Sequence, residues 1–182
     1  VKRFSPDVRT PTLLGVGEDD PALSRLLDTL DRPRYLAAGT RDGLRRLRDG
    51  VSDVAVTAGP LSQEPAGRLI GSWTRDWGLV VPAGNPADIE TLGDLIDRDR
   101  RFVNRQRTSG LRASFDEALD ELAAERESSR AVLTDAIDGY EFTVRAHESP
   151  ARRVAAGDAD AGLGLRTTAT TLDLGFVPLG TE

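Results

Sequence analysis

The sequence predicts an α/β fold of two small, mostly parallel sheets flanked by helices. Three observations carry that prediction. The first 60 residues alternate short apolar runs with helix-like runs in the order β-α-β-α-β, the pattern of a parallel sheet with right-handed crossovers. Two passages recur: Gly50-x-x-Asp53-Val-Ala-Val returns as Gly157-x-x-Asp160-Ala-Gly-Leu, and Gly43-Leu-Arg45 as Gly110-Leu-Arg112, which suggests a duplicated architecture. The stretch Arg101-Phe-Val-Asn-Arg-Gln-Arg-Thr-Ser-Gly-Leu-Arg112 begins apolar, turns polar and cationic, and enters an amphipathic run, so it reads as strand, loop and helix N-terminus.

Residues 1–11 are polar with two prolines and read as a leader or linker. Thr12 to Gly17 is a buried-type strand. Glu18-Asp19-Asp20-Pro21 then supplies an N-cap carboxylate and a proline at the first helical position. Leu23, Leu26, Leu27 and Leu30 recur at helical spacing until Asp31-Arg32-Pro33 stops them. Arg34 to Gly39 is a second strand, and Thr40 caps a helix bearing Leu44 and Leu47 that ends at Gly50. Val51 to Thr57 is a third strand, and the chain from Pro60 to Pro65 is loop.

Two further strands are expected at Arg68–Trp73 and Trp77–Pro82, then a turn at Ala83–Pro86 and a short helix at Thr91–Ile96. After the 101–123 unit, residues 125–130 read as loop or frayed helix end. Gly139–Val144 reads as a strand with Tyr140 and Phe142 on one face. A helix introduced by His147-Glu148-Ser149-Pro150 runs to Ala156. A strand at Ala161–Leu165, a helix at Thr167–Leu172 and a strand at Leu174–Leu179 complete the order.

Composition narrows the function classes. No apolar run reaches the roughly 18 residues of a membrane span, and the N-terminal residues do not form a basic-then-apolar export leader. There is no cysteine, which excludes disulfides, thiolate metal sites and thiol catalysis. A net charge of −6 argues against direct nucleic-acid binding, which needs a basic face. Lys2 is the one lysine beside many arginines, which fits a GC-rich genome and an acidic, archaeal-type composition. The chain holds no methionine and ends on strand-like residues, so it is expected to be a piece of a longer, fused protein.

A catalytic set is not visible. His147 is the single histidine, so no histidine triad or multi-histidine metal site can form. Ser109 lacks a Gly-x-Ser-x-Gly elbow, Gly15-Val-Gly17 is a fragment of a dinucleotide fingerprint, and no phosphate loop exists. No cofactor or metal is expected. Binding is better supported. Five loops follow strands at 17–21, 39–41, 57–61, 104–112 and 146–150, where open α/β sheets hold ligands. They carry Asp19, Thr40, Thr57, Arg105, Gln106, Thr108, Ser109, Arg112 and His147 as candidate ligand residues. Asp19, Thr40 and Ser149 are each also explained as helix caps, and His147 fits capping and ligand contact equally. Arg105 with Gln106 is least explained by capping.

The runs Trp77-Gly-Leu-Val-Val-Pro-Ala-Gly-Asn-Pro86 and Arg101 to Arg112, with His147 and Gly157-Asp-Ala-Asp-Ala-Gly-Leu-Gly164, resemble the PBP-like (periplasmic-binding-protein-like, type II) domain. Such domains occur behind a MoeA-type molybdopterin molybdotransferase or a helix-turn-helix region. The resemblance covers about Leu13 to Leu179. It implies a two-lobed fold that holds a small ligand between lobes without chemistry, the ligand being molybdate, tungstate or a cofactor precursor. It also leaves open effector sensing in a transcription regulator, or an ABC-type solute-binding protein. Lobe one would hold residues 1–79 plus 174–182 and lobe two residues 80–173, with a hinge near 78–81 and 174–177. The expected compartment is cytoplasmic. The acidic loop Gly17-Glu18-Asp19-Asp20 departs from what an anion site would favour, because its carboxylates would repel an oxyanion.

Overall fold

The structure, a computed structural model, describes residues 10–61, 65 and 67–182. Most of the expected leader, and residues 62–64 and 66 of the expected loop, lie outside the described residues. Two separate sheets are present. The first contains β1 (Leu13–Gly17), β2 (Pro33–Ala37) and β3 (Val54–Val56) in the order β2-β1-β3, all parallel. The crossovers are α1 (Pro21–Leu27) and α2 (Thr40–Arg48). Asp20 starts α1 by accepting a hydrogen bond from Ala22 N at 2.7 Å, with Pro21 in the first turn. Gly43 lets α2 lie on β1 without a side chain between them, since a Cβ there would sit 2.9 Å from Gly17 Cα.

The second sheet contains β4 (Asp76–Val81), β5 (Phe102–Arg105), β6 (Thr143–Val144), β7 (Ala161–Leu165) and β8 (Gly175–Thr181), in the order β6-β5-β7-β4-β8. Around it lie α3 (Asp94–Asp97), α4 (Gly110–Glu125), α5 (Arg130–Ala136), α6 (Ser149–Ala155) and α7 (Arg166–Thr171). Alternation along the strands divides the core between two faces. Leu79, Phe102 and Leu163 meet Leu111, Phe115 and Leu119, which recur every four residues along one face of α4. The Phe102 and Phe115 rings stack at 5.2 Å. On the opposite face Val80 packs with Ala151 and Ala169, and Val103 with Val154 and Ala159. The first lobe is far thinner: Leu26, Leu30, Leu36 and Val51 are exposed. No helix among the described residues is long and apolar enough to cross a membrane.

Three elements differ from the sequence reading. The strand expected at Arg68–Trp73 does not form, and Leu69 and Ile70 are exposed; β3 pairs only with β1, so no partner strand takes up that segment's backbone. Only Thr143 and Val144 of the expected strand at Gly139–Val144 pair, with β5. Gly139, at φ 92°, turns the chain against the Phe102 carbonyl, which sends Tyr140 to the core and leaves Phe142 exposed. Helix α5 was not anticipated, because its contribution to the core rests on little more than Leu133, with Ile137 just beyond its end.

The lobe boundary also moves. β4 and β8 run antiparallel from Asp76 opposite Thr181 to Val81 opposite Gly175, and β4 pairs with β7 on its other side. Residues 76–79 and 175–181 therefore belong to the second sheet rather than to lobe one, because both edges of β4 are already occupied there. That sheet is mixed rather than mostly parallel, since β5 pairs in parallel with β6 and β7 whereas both pairings of β4 are antiparallel. Phe115→Ala should lower the unfolding free energy by about 3–5 kcal/mol, through lost burial and the cavity it leaves. Urea denaturation of both proteins, with similar denaturant slopes, checks it.

Candidate functional site

The loop after β1 is held by its backbone. Gly17 has φ 149°, and a Cβ there would fall 2.0 Å from the Val56 carbonyl oxygen, so only glycine passes under the end of β3. The next residue, Glu18, donates its N–H to Val56 O at 2.9 Å and accepts from the Tyr35 hydroxyl at 2.7 Å through its carbonyl. Its side chain is buried, 2% exposed, and reaches between the lobes. Glu18 Oε1 accepts from Thr40 N at 2.8 Å and Gly110 N at 2.5 Å, and Oε2 accepts from the Ser109 hydroxyl at 3.2 Å. The Thr40 hydroxyl, with one proton, lies 2.9 Å from Glu18 Oε1 and 3.0 Å from Ala58 O, and accepts from Ala58 N. One carboxylate thus meets the N-termini of α2 and α4, one helix from each lobe, where unpaired N–H groups and helix dipoles favour negative charge.

Around this point the lobes touch backbone to backbone. A Cβ on Gly39, φ 89°, would lie 2.3 Å from Thr108 O, and one on Gly110 would lie 1.8 Å from Ala58 O. The other two acidic residues of the loop also reach across. Asp19 Oδ2 accepts from His147 N at 3.1 Å and lies 3.0 Å from His147 Nδ1. The second contact is close but off the hydrogen-bond direction, since Nδ1 has no well-aligned partner. The His147 ring, against the opposing effect of burial, holds the Asp19 carboxyl down to about 2, with the His147 N–H and the Arg105 charge adding to it. Asp20 pairs with Arg75 at 2.5 Å. Arg75 also holds Glu182, whose other oxygen accepts from Ser114 on α4.

Arg105, at the end of β5, is 3% exposed. Its Nη2 donates to Arg145 O at 3.1 Å, and its Nε has no hydrogen-bond partner. Burial pushes the guanidinium below its ordinary value, and the nearby Glu18 and Asp19 carboxylates oppose that. A buried cation with an unused donor therefore stands near the Glu18 and Asp19 carboxylates.

Of the sequence candidates, Asp19, Thr40, Arg105, Ser109 and His147 converge on this region. Gln106 and Thr108 are half-buried on the adjoining loop. Thr57 is exposed. Arg112 is buried but bound elsewhere: Nε donates to Asp116 at 2.8 Å, Nη1 reaches Arg105 O, and its guanidinium lies 4.0 Å from the Tyr140 ring centre. It braces the loop from behind. The capping roles also shift. Asp20, not Asp19, caps α1; Gly39 takes the N-cap position of α2; and Ser149 makes no capping bond. Glu18 was missed as a site residue. Its signal was three consecutive carboxylates before Pro21, where a cap needs one.

A family profile described as a PBP superfamily domain matches residues 28–182. "Uncharacterized protein YvgK" of Bacillus subtilis is 36% identical over 111 residues, which cover 61% of this chain and 33% of that protein; the matched part is about a third of the relative's length. The cofactor-binding domain of the Cbl transcriptional regulator superposes with TM-score 0.62 at 14% identity, covering 99% of this chain and 78% of that one. The sulfate-binding protein SubI from Mycobacterium tuberculosis H37Rv superposes with TM-score 0.57 at 12% identity, covering 91% and 69%.

Two outcomes follow from the geometry. Asp19 has a folded value below its ordinary 3.8, so its stabilisation is full above about pH 4 and is lost as pH falls through about 2. With its side chain partly exposed, we expect about 1–2 kcal/mol. Urea unfolding of wild type and Asp19→Asn should show that gap at pH 5 and close it toward pH 2. Gly110→Ala should drive its methyl into the Ala58 carbonyl, destabilise by about 1–3 kcal/mol, and speed hydrogen exchange at the Thr40 and Gly110 amides.

Proposed function

The chain belongs to the PBP superfamily, and from that premise we propose that it is a non-catalytic domain that closes on a small anion. The observation that carries this reading is the meeting of two helix N-termini and the buried Arg105 guanidinium between the lobes. Such a point stabilises negative charge through N–H groups and a cation already desolvated and fixed. The carboxylates present are engaged: Glu18 by donors from both lobes, Asp19 by His147 and Asp20 by Arg75. None is placed as a free general base, which favours binding over chemistry.

Within that class we propose molybdate or tungstate, or a molybdenum-cofactor precursor, with Arg105, Gln106, Thr108 and Ser109 holding it from one side and Thr40 from the other. The domain would then act as a sensing or handling module in the cytoplasm, in molybdenum-cofactor biosynthesis. Effector sensing in a transcription regulator is the second reading, favoured by the similarity to the Cbl cofactor-binding domain over nearly the whole chain. Closure would turn on the connection entering β4, where Arg75 and Glu182 exchange backbone hydrogen bonds at 2.9 and 3.0 Å. Ligand would select the closed arrangement.

Calorimetric titration with molybdate, tungstate, sulfate and phosphate up to high millimolar concentrations tests this. We expect saturable heat with at least one, weakened roughly 10–100-fold in Arg105→Gln by loss of a charge-assisted hydrogen bond. No saturable heat with any of the four would end the reading.

A further inference from the structure

We propose that Glu18 is a built-in occupant of the anion seat, which an external anion must displace, and that the seat prefers a tetrahedral oxyanion to a carboxylate. The proposal rests on the anion reading above. The donors around Glu18 come from two chain segments, one in each lobe: Thr40 N and hydroxyl from the first, Ser109 hydroxyl and Gly110 N from the second. They are the contacts a bound anion would make. Helix capping does not explain the arrangement, because Asp20 already caps α1 and the Glu18 carboxylate reaches the starts of two other helices.

Glu18 fills the seat incompletely. Its two oxygens take the helix N-termini and the hydroxyls, yet Arg105, close enough to feel the Glu18 charge, keeps its Nε unpartnered at 3% residue exposure. A tetrahedral dianion brings four oxygens and a second charge, enough to meet the same donors and Arg105 together. Displacement needs only rotation of the Glu18 side chain, since its backbone remains fixed by Val56 O and the Tyr35 hydroxyl. Being tethered, the carboxylate competes at an effective concentration on the order of millimolar or above, so it weakens every external anion in the same proportion. The acidic loop that looked unfavourable to an oxyanion is, on this view, what sets its affinity.

The test uses the whole chain as wild type, Glu18→Ala and Glu18→Gln, each titrated with sulfate and with acetate. Sulfate should bind both variants at least about tenfold more tightly than wild type. Acetate should raise the melting temperature of Glu18→Ala, by refilling the vacated seat, and leave that of wild type unchanged. In Glu18→Ala, sulfate should bind more tightly than acetate. Glu18→Gln keeps the shape and one acceptor oxygen, so it supplies the comparison if the alanine variant does not fold. Equal sulfate affinity in wild type and the folded variants would overturn the displacement while leaving anion binding intact. No binding of either anion to any of the three proteins would remove the anion reading and this proposal together. Acetate bound as tightly as sulfate in Glu18→Ala would overturn the preference for a tetrahedral ligand.

Discussion

A buried carboxylate facing the starts of two helices is the constraint on which the arrangement of the two lobes depends. A negative group with 2% exposure has lost nearly all of its hydration, so every acceptor direction must be answered by the protein. Here the answers come from both lobes, and the Glu18 side chain is satisfied only while Thr40 and Gly110 face each other. Its two neighbours extend the same logic to different partners: Asp19 reaches the chain before α6, and Asp20 reaches the segment entering β4. Three successive residues thus tie one loop to three places. Few other loops could give so much orientation from so short a run.

The lobes differ in how they are stabilised. The second has apolar packing on both sheet faces, with a continuous cluster from Trp77 through Phe115 to Leu163. The first has three strands, with Val16, Leu23 and Ala38 as buried apolar residues, and several exposed leucines. Polar contacts across the cleft therefore carry a larger share of its positioning than core packing does. Buried hydrogen bonds are directional and lose their value within about an ångström. A lobe held in this way has a defined position, and moving it requires the buried carboxylate to find replacement partners.

Much of the fold was legible because its signals are local. The β-α-β-α-β order, the strand–loop–helix at 101–123 and the Pro21 helix start follow from periodicity and capping chemistry that neighbouring residues share. The clustering of Arg105, Ser109, Thr40 and Asp19 was legible for a related reason: strand-end loops gather on one side of a parallel sheet. What stayed hidden depends on partners far along the chain. The edge status of β4 is decided by β7 and β8, some 80 to 100 residues later. Residues 68–73 look like a strand and stay unpaired for want of a neighbour. Glu18 read as a source of repulsion because a sequence shows its charge but not the two helix ends that neutralise it. Arg112 read as a ligand group because its guanidinium was visible and Asp116 with Tyr140 was not yet placed beside it.

The contacts at Gly39 with Thr108, and at Gly110 with Ala58, join main chain to main chain. Closing an ordinary cleft freezes long side chains, at about 0.5–1.5 kcal/mol for each one immobilised. Peptide groups carry no side-chain rotamers to surrender, although three of these four residues lie in loops just outside strands and helices. In the proposed closure, this part of the interface would come together with little configurational loss.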